Sequence, residues 1–195
     1  MISTIPSTPQ TARHAPAPPL EKQTTAGNYF VSNYPTFSFW KPDCVSDVYG
    51  AMGRPPRAGT PLGIYLHIPF CRKRCHFCYF KVYTDKDSAA IRGYLEAVLN
   101  ELALYAGKPF LGGRKPSFIY FGGGTPSYLS VDQLTHLTSR MKAVLPWDEA
   151  EEVTFECEPG TLTDHKLKAI RELGITRLSL GVENFDDHIL EINGR

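Results

Sequence analysis

The chain has 195 residues, with 21 Lys and Arg against 20 Asp and Glu, for a formal net charge of +1. That balance excludes a protein that grips nucleic acid through its overall charge, and no apolar stretch is long enough to span a bilayer. Five cysteines, three of them crowded between residues 71 and 78, do not form the even, spread pattern of a secreted disulfide scaffold.

In chain order, residues 1–27 hold Pro6, Pro9, Pro16, Pro18 and Pro19 among Ser and Thr, with almost no large apolar side chains. Such a segment cannot bury enough surface to offset its ordering entropy, so it is expected to be disordered. It has no apolar core of the kind a secretory signal needs. Residues 28–61 form an aromatic- and Pro-rich arm that begins with Tyr29, Phe30, Tyr34, Phe37, Phe39 and Trp40. Pro42, Pro55, Pro56 and Pro61 argue against regular structure there. The arm either covers the core or contacts a substrate or partner.

From residue 62 onward the pattern alternates between strand and helix. A strand is expected at 63–68 and a helix at 88–106, where Ile91, Leu95, Val98, Leu102 and Tyr105 recur at helical spacing and Gly107 and Pro109 end the run. A second strand falls at 117–121. A helix then starts at Ser130, with Gln133 completing a capping box, and stops at Pro146. A third strand is read at 153–158. It is followed by a helix carrying Leu167, Ile170 and Leu173, with Gly174 as its C-terminal cap. A fourth strand is read at 177–182, and a last helix begins near Asp186.

Strand–helix alternation implies α/β architecture with a parallel sheet. Side chains alternate between the two faces of a strand. Three strands each show one apolar and one polar face: Ile64, Leu66 and Ile68 against Tyr65 and His67; Val153, Phe155 and Cys157 against Thr154, Glu156 and Glu158; Leu178, Leu180 and Val182 against Arg177, Ser179, Gly181 and Glu183. A sheet with helices on both sides should be apolar on both faces. The expectation is therefore helices outside and a polar, ligand-holding cavity inside, as in part of a barrel.

Cys71, Cys75 and Cys78 follow the first strand at C-x3-C-x2-C spacing. Three thiolates on one tight loop suit three irons of an iron–sulfur cluster and leave one iron open to a small molecule. A structural zinc site usually closes four ligands, often as two C-x2-C pairs. The spacing favours the cluster and leaves zinc as the alternative. The second strand ends in Gly122-Gly-Gly-Thr-Pro126, where missing Cβ atoms let a ligand approach the backbone. Both features fall at C-terminal strand ends, where barrel active sites gather. Arg72, Lys73 and Arg74 make the cysteine loop locally basic, which suits an anionic ligand or an acidic electron donor.

Taken together, Tyr65-Leu-His-Ile-Pro-Phe-Cys71, Cys75-His-Phe-Cys78, Phe121-Gly-Gly-Gly-Thr-Pro126, Phe155-Glu-Cys-Glu-Pro159 and Gly181-Val-Glu-Asn-Phe185 resemble the radical S-adenosylmethionine (SAM) superfamily. Within it they are similar to the oxygen-independent coproporphyrinogen III oxidase and haem chaperone branch. The resemblance runs from about residue 62 to residue 195 and implies a radical SAM core, the N-terminal half of a TIM-like barrel. Further βα units and a C-terminal domain belong to that family, so the chain is expected to be an N-terminal fragment.

The resemblance implies that Cys71, Cys75 and Cys78 ligate a [4Fe–4S] cluster, with SAM chelating its open iron. Gly123, Tyr65 and Glu156 would contact that SAM. Phe77, Gly124, Thr125, Glu183 and Arg195 match positions for a second SAM. Members that bind a second SAM have Gln where this chain has Glu183, and a cysteine where it has Phe80. His67 is the candidate catalytic residue, as a ligand-orienting or proton-moving group. The implied partners are a tetrapyrrole substrate or haem and a reducing donor such as flavodoxin or ferredoxin. The implied location is cytoplasmic.

Overall fold

The computed structural model describes residues 39–78 and 80–195. The expected disordered segment and most of the aromatic arm lie outside these residues. The chain divides into two units, Met1–Cys44 and Val45–Arg195. In the first, Pro42–Cys44 form a single 3-10 turn.

The second unit opens with α1 (Val45–Met52). This corrects the expectation that the prolines exclude regular structure between residues 28 and 61. Pro42 precedes the helix and Pro55 and Pro56 follow it, so no proline occupies the interior, where it would remove a hydrogen bond. The prolines delimit the helix.

Strands β1 (Gly63–Ile68), β2 (Phe118–Gly123), β3 (Glu152–Cys157) and β4 (Arg177–Leu180) form one parallel sheet in the order β1-β2-β3-β4. Helices α2 (Ser88–Ala106), α3 (Val131–Val144) and α4 (Asp164–Glu172) lie between successive strands, and α5 (Asp187–Ile192) follows the last. The helix starts are fixed locally. Asp87 accepts from Ala90 N at 2.7 Å. The capping box at Ser130 forms in both directions, with Gln133 N donating to Ser130 Oγ at 3.2 Å and Ser130 N donating to Gln133 Oε1 at 2.9 Å. Gly174 takes a φ of 89° just past α4, a conformation that glycine adopts without a Cβ clash.

The core sits between the sheet and the helices. Leu66, Ile68, Ile119, Phe121, Val153 and Phe155 from the strands are buried with Leu95, Leu99, Leu134, Leu137, Met141 and Ile170 from the helices. Burying each such side chain stabilises the fold by about 1.5–3 kcal/mol. The α2 stripe is rotated slightly from the expected one: Leu99 is buried, while Val98 is only partly so and Tyr105 is exposed.

The other face is largely the polar one the alternation predicts, with Tyr65, Tyr120, Thr154 and Arg177 forming one in-register row. Three details differ. Thr154 is buried rather than facing a wet cavity, and its hydroxyl donates to Glu152 Oε1 at 2.6 Å. β3 stops at Cys157, and Glu158 caps a 3-10 turn at Pro159–Thr161. β4 stops at Leu180, two residues early, and Leu178 and Leu180 are exposed instead of buried on an apolar face.

Candidate active site

Two segments meet at the C-terminal ends of β1 and β2. Backbone pairing continues past the strands, with Gly124 N donating to Ile68 O at 2.8 Å and Thr125 N to Phe70 O at 2.9 Å. The triple glycine is thereby laid against the start of the cysteine loop. The fit allows no side chain: a Cβ on Gly124 would stand 2.8 Å from Cys71 Sγ and 3.0 Å from Phe70 O. Gly123 has a φ of 121°, and a Cβ there would meet the His67 ring and Ile68 O at 2.8–2.9 Å.

The cysteine loop is tied at both ends of its path. At its base, Tyr83 N donates to Pro69 O at 2.8 Å and Cys71 N donates to Tyr83 O at 3.1 Å. At its tip, His76 N donates to Asn193 O and His76 Nδ1 donates to Ile192 O, both at 2.9 Å, which fixes the loop to the end of α5. Cys78 N donates to Cys75 O at 3.1 Å, and Arg74 Nη2 donates to the Cys78 carbonyl at 2.8 Å.

The three thiols line one cavity of about 280 Å³. Its walls also carry Phe77, Gly123, Gly124, Thr125, Glu156, Glu183 and Arg195, so the fold gathers every expected site residue except Tyr65 and His67 into one lining. Those two stand beside it on the inner sheet face, where the Tyr65 hydroxyl and His67 Nδ1 share a hydrogen bond of 3.0 Å. Tyr65 stacks on Tyr120 with ring centroids 6.0 Å apart. Burial raises the Tyr65 pKa, helped by the negative charge of Glu156. Burial lowers the His67 pKa, with Glu156 opposing the shift.

Two donors reach the sulfurs. The Thr125 hydroxyl donates to Cys71 Sγ at 3.4 Å, and Arg195 Nη1 donates to Cys75 Sγ at 3.6 Å. Cys71 is buried, and burial pushes its thiol pKa up against the Thr125 hydrogen bond, with the nearby Cys78, Cys75 and Glu158 adding to the rise. Arg195 also donates to Gly181 O and lies 3.8 Å from Glu183, whose φ of 68° is the one positive value at a non-glycine among the described residues.

Glu156 acts as a clamp. Its Oε2 accepts from Gly123 N at 3.1 Å and its Oε1 from the Tyr120 hydroxyl at 2.7 Å. Tyr120 was missed in the sequence, although alternation along the second strand puts it on the polar face. Ser179, Lys73 and Arg74 also line the cavity, as does Cys157, which alternation puts on the opposite strand face from Glu156 but which stands at the C-terminal end of β3. Three cations (Lys73, Arg74, Arg195) and three carboxylates (Glu156, Glu158, Glu183) therefore surround the space.

The Radical SAM superfamily profile matches residues 65–195. The chain belongs to the Radical SAM superfamily. It is 34% identical over 137 residues to the oxygen-independent coproporphyrinogen III oxidase of Synechocystis sp. (strain PCC 6803), covering 70% of this chain and 29% of that protein. It is 39% identical over 135 residues to the heme chaperone HemW of Bacillus subtilis, covering 67% of this chain and 34% of that one. Among solved structures it resembles coproporphyrinogen III oxidase (HemN) from Escherichia coli, with a TM-score of 0.73 and 30% identity over 86% of this chain and 38% of that one. The chain spans about a third of the length of the curated relatives it matches. The four-stranded parallel sheet is thus part of a TIM-like radical SAM barrel.

Radical SAM proteins imply a [4Fe–4S] cluster and SAM, and the donor set fits that pair. Among the described residues, no three Cys, His, Asp or Glu side chains converge as they would around a single metal ion, which is the arrangement a closed zinc site requires. Cluster ligands instead bind separate irons and need only face a common cavity. Hydrogen-bond donors to two of the sulfurs are the outer contacts expected to tune such a group. The cavity's mixed charges suit a ligand that is both cationic and anionic.

Proposed function

We propose that this Radical SAM chain contributes the cofactor-binding part of an enzyme acting on a tetrapyrrole, of the oxygen-independent coproporphyrinogen III oxidase type. The observation that carries this is the single cavity in which three thiols face a glycine strand end held open by Glu156. Cys71, Cys75 and Cys78 would hold the [4Fe–4S] cluster. When bound and reduced, the cluster supplies the electron that cleaves SAM to a 5′-deoxyadenosyl radical, which begins oxidative decarboxylation of propionate side chains.

The chain's own residues position and shield. Gly123 and Gly124 let the methionine end of SAM approach the backbone, and Glu156 fixes the Gly123 amide while its charge faces the ligand's cationic groups. Tyr65 and His67 stand beside the cavity, hydrogen-bonded to each other at 3.0 Å, and Tyr65 would contact the same SAM. His67, neutral because of its lowered pKa, orients a ligand or carries a proton there. Phe77, Thr125, Glu183 and Arg195 would border a second SAM, with Thr125 and Arg195 also donating to cluster sulfurs.

A second reading is favoured by Phe80 and Glu183. Both line the cavity, and they stand where oxidases that bind two SAM molecules have Cys and Gln. They point to a haem chaperone-like member that keeps the cluster and binds haem. The test is anaerobic reconstitution followed by three measurements: iron and sulfide content, 5′-deoxyadenosine formed from SAM under reduction, and turnover of coproporphyrinogen III against tight binding of haem. Cluster formation with 5′-deoxyadenosine and porphyrinogen turnover supports the enzyme. Haem binding without turnover supports the chaperone. Zinc uptake without a four-iron cluster refutes both.

A further inference from the structure

We infer that His76 is a positioning residue: it ties Cys75 to the end of α5 and, through that tie, aims Arg195 at the Cys75 sulfur. This rests on the proposed cluster, whose cysteines the fold holds from two sides. Cys71 belongs to the sheet side. Its amide donates to Tyr83 O at 3.1 Å, and its Sγ accepts from the Thr125 hydroxyl at 3.4 Å. Cys75 belongs to the α5 side. The residue after it, His76, donates twice to the last turn of that helix, from its amide to Asn193 O and from Nδ1 to Ile192 O, both at 2.9 Å. The spacing between Cys71 and Cys75 therefore depends on a contact between segments 116 residues apart.

The clasp runs both ways. From α5, Arg195 N donates to Leu190 O at 2.9 Å, and its guanidinium Nη1 returns to Cys75 Sγ at 3.6 Å. The Arg195 side chain is only 15% exposed, so its direction is set by what surrounds it. Gly194 fits against the His76 ring: it is buried with a φ of 71°, and a Cβ there would stand 3.3 Å from His76 Nε2 and 3.4 Å from Cδ2. Apolar burial does not hold the loop tip, since Lys73, Arg74, His76 and Phe77 are all exposed. Carbonyls at a helix C-terminus lack intrahelical donors, and a histidine N–H can supply one. The cysteine loop and the end of α5 thus stabilise each other.

A hydrogen bond to a cluster sulfur favours the more electron-rich reduced state and raises the reduction potential. Contacts behind the ligands also govern how firmly a metal group is gripped. His76 acts on both through its neighbours, without ligating the cluster.

The test uses the full chain, unloaded and reconstituted. His76→Ala removes the ring donor. His76→Asn keeps a side-chain N–H at the same bond count from the backbone and is the rescue. In the unloaded chain, the His76 amide should exchange with solvent about tenfold faster in the Ala variant, as one lost hydrogen bond allows, and near the original rate in the Asn variant. In the reconstituted chain, iron release to a chelator should rise about tenfold in the Ala variant. A redox titration followed by electron paramagnetic resonance should give a lower cluster potential for His76→Ala and the original one for His76→Asn. Arg195→Ala should lower the potential too, and adding His76→Ala should lower it no further, because one residue acts through the other. An unchanged potential in His76→Ala overturns the proposal. So does an Asn variant that behaves as the Ala variant, or effects of the two residues that simply add. Should His76→Ala fail to fold, His76→Gln, whose N–H stands one bond farther out, takes its place. Failure of the unaltered chain to assemble a four-iron cluster counts against the proposed function instead. The exchange measurement then still decides the clasp, and a His76 amide that the Ala variant does not loosen refutes it.

Discussion

Replacing Gly124 by Ala tests the close packing on which the candidate site depends. The added methyl would stand 2.8 Å from Cys71 Sγ, 3.0 Å from Phe70 O and 3.1 Å from the Pro69 carbonyl carbon. Ordinary contact begins near 3.4 Å, and two of the three neighbours are backbone held by strand-like hydrogen bonds, so the methyl has no free direction. Overpacking of this kind costs about 1–3 kcal/mol. In a chain of this size, 1 kcal/mol moves the melting midpoint by about 2–4 °C, so a loss of roughly 4–8 °C is expected for a cost of 2 kcal/mol. Cys71 Sγ is the movable neighbour, and its displacement should also reduce iron and sulfide incorporation on reconstitution. Gly93→Ala is the control. Gly93 lies inside α2 with nothing within 4 Å of its added Cβ, so the same chemical change there should stabilise by up to about 1 kcal/mol. Thermal melting of the unloaded chain and metal analysis of the reconstituted one read both effects. If Gly124→Ala melts with Gly93→Ala and takes up the full complement of iron, the packing argument is wrong.

Glu156→Ala should cost about 1–3 kcal/mol, because Gly123 N and the Tyr120 hydroxyl both lose their acceptor. Glu156→Gln should stay much closer to the original stability, since its oxygen can face Gly123 while Tyr120 turns to accept, and urea titration separates the two. The lowered pKa of His67 means that the unfolded chain binds more protons than the folded one between the ordinary value of 6.5 and the folded value below it. Stability should therefore fall as pH drops below about 6.5, and His67→Gln should flatten that part of the profile measured by denaturation from pH 7.5 to 5. Burial pushes the Cys157 thiol up to about 11. At pH 8 only about one molecule in a thousand carries the thiolate, so iodoacetamide should modify the exposed Cys44 while leaving Cys157 intact, and peptide mass mapping should show it.

Helix boundaries and caps were legible because they are written in neighbouring residues. Ser130 with Gln133 at the start of α3, and Gly107 and Gly174 just past α2 and α4, satisfy backbone groups a few positions away, so their identity announces those boundaries. Strand faces were legible wherever alternation is clean, as in β1, where Leu66 and Ile68 face the helices and Tyr65 and His67 do not. The prolines between residues 42 and 61 misled, since their placement outside a short helix looks the same in composition as placement within it. β4 misled for a different reason: alternation says which residues share a face but not whether anything packs on that face, and Leu178 and Leu180 remain exposed despite an apolar pattern.

The sequence alone determined which candidate groups are available and on which elements they fall: three cysteines on one loop, a glycine strand end and an acidic residue on the polar face, all placed by local spacing. Tertiary structure decided which of these groups touch. The Thr125 hydroxyl on Cys71, the Arg195 guanidinium on Cys75 and the Tyr120–Glu156–Gly123 clamp join residues 33 to 120 positions apart. Such pairings depend on strand register and loop path, which arise from packing the whole sheet against its helices and leave no periodic trace in the chain.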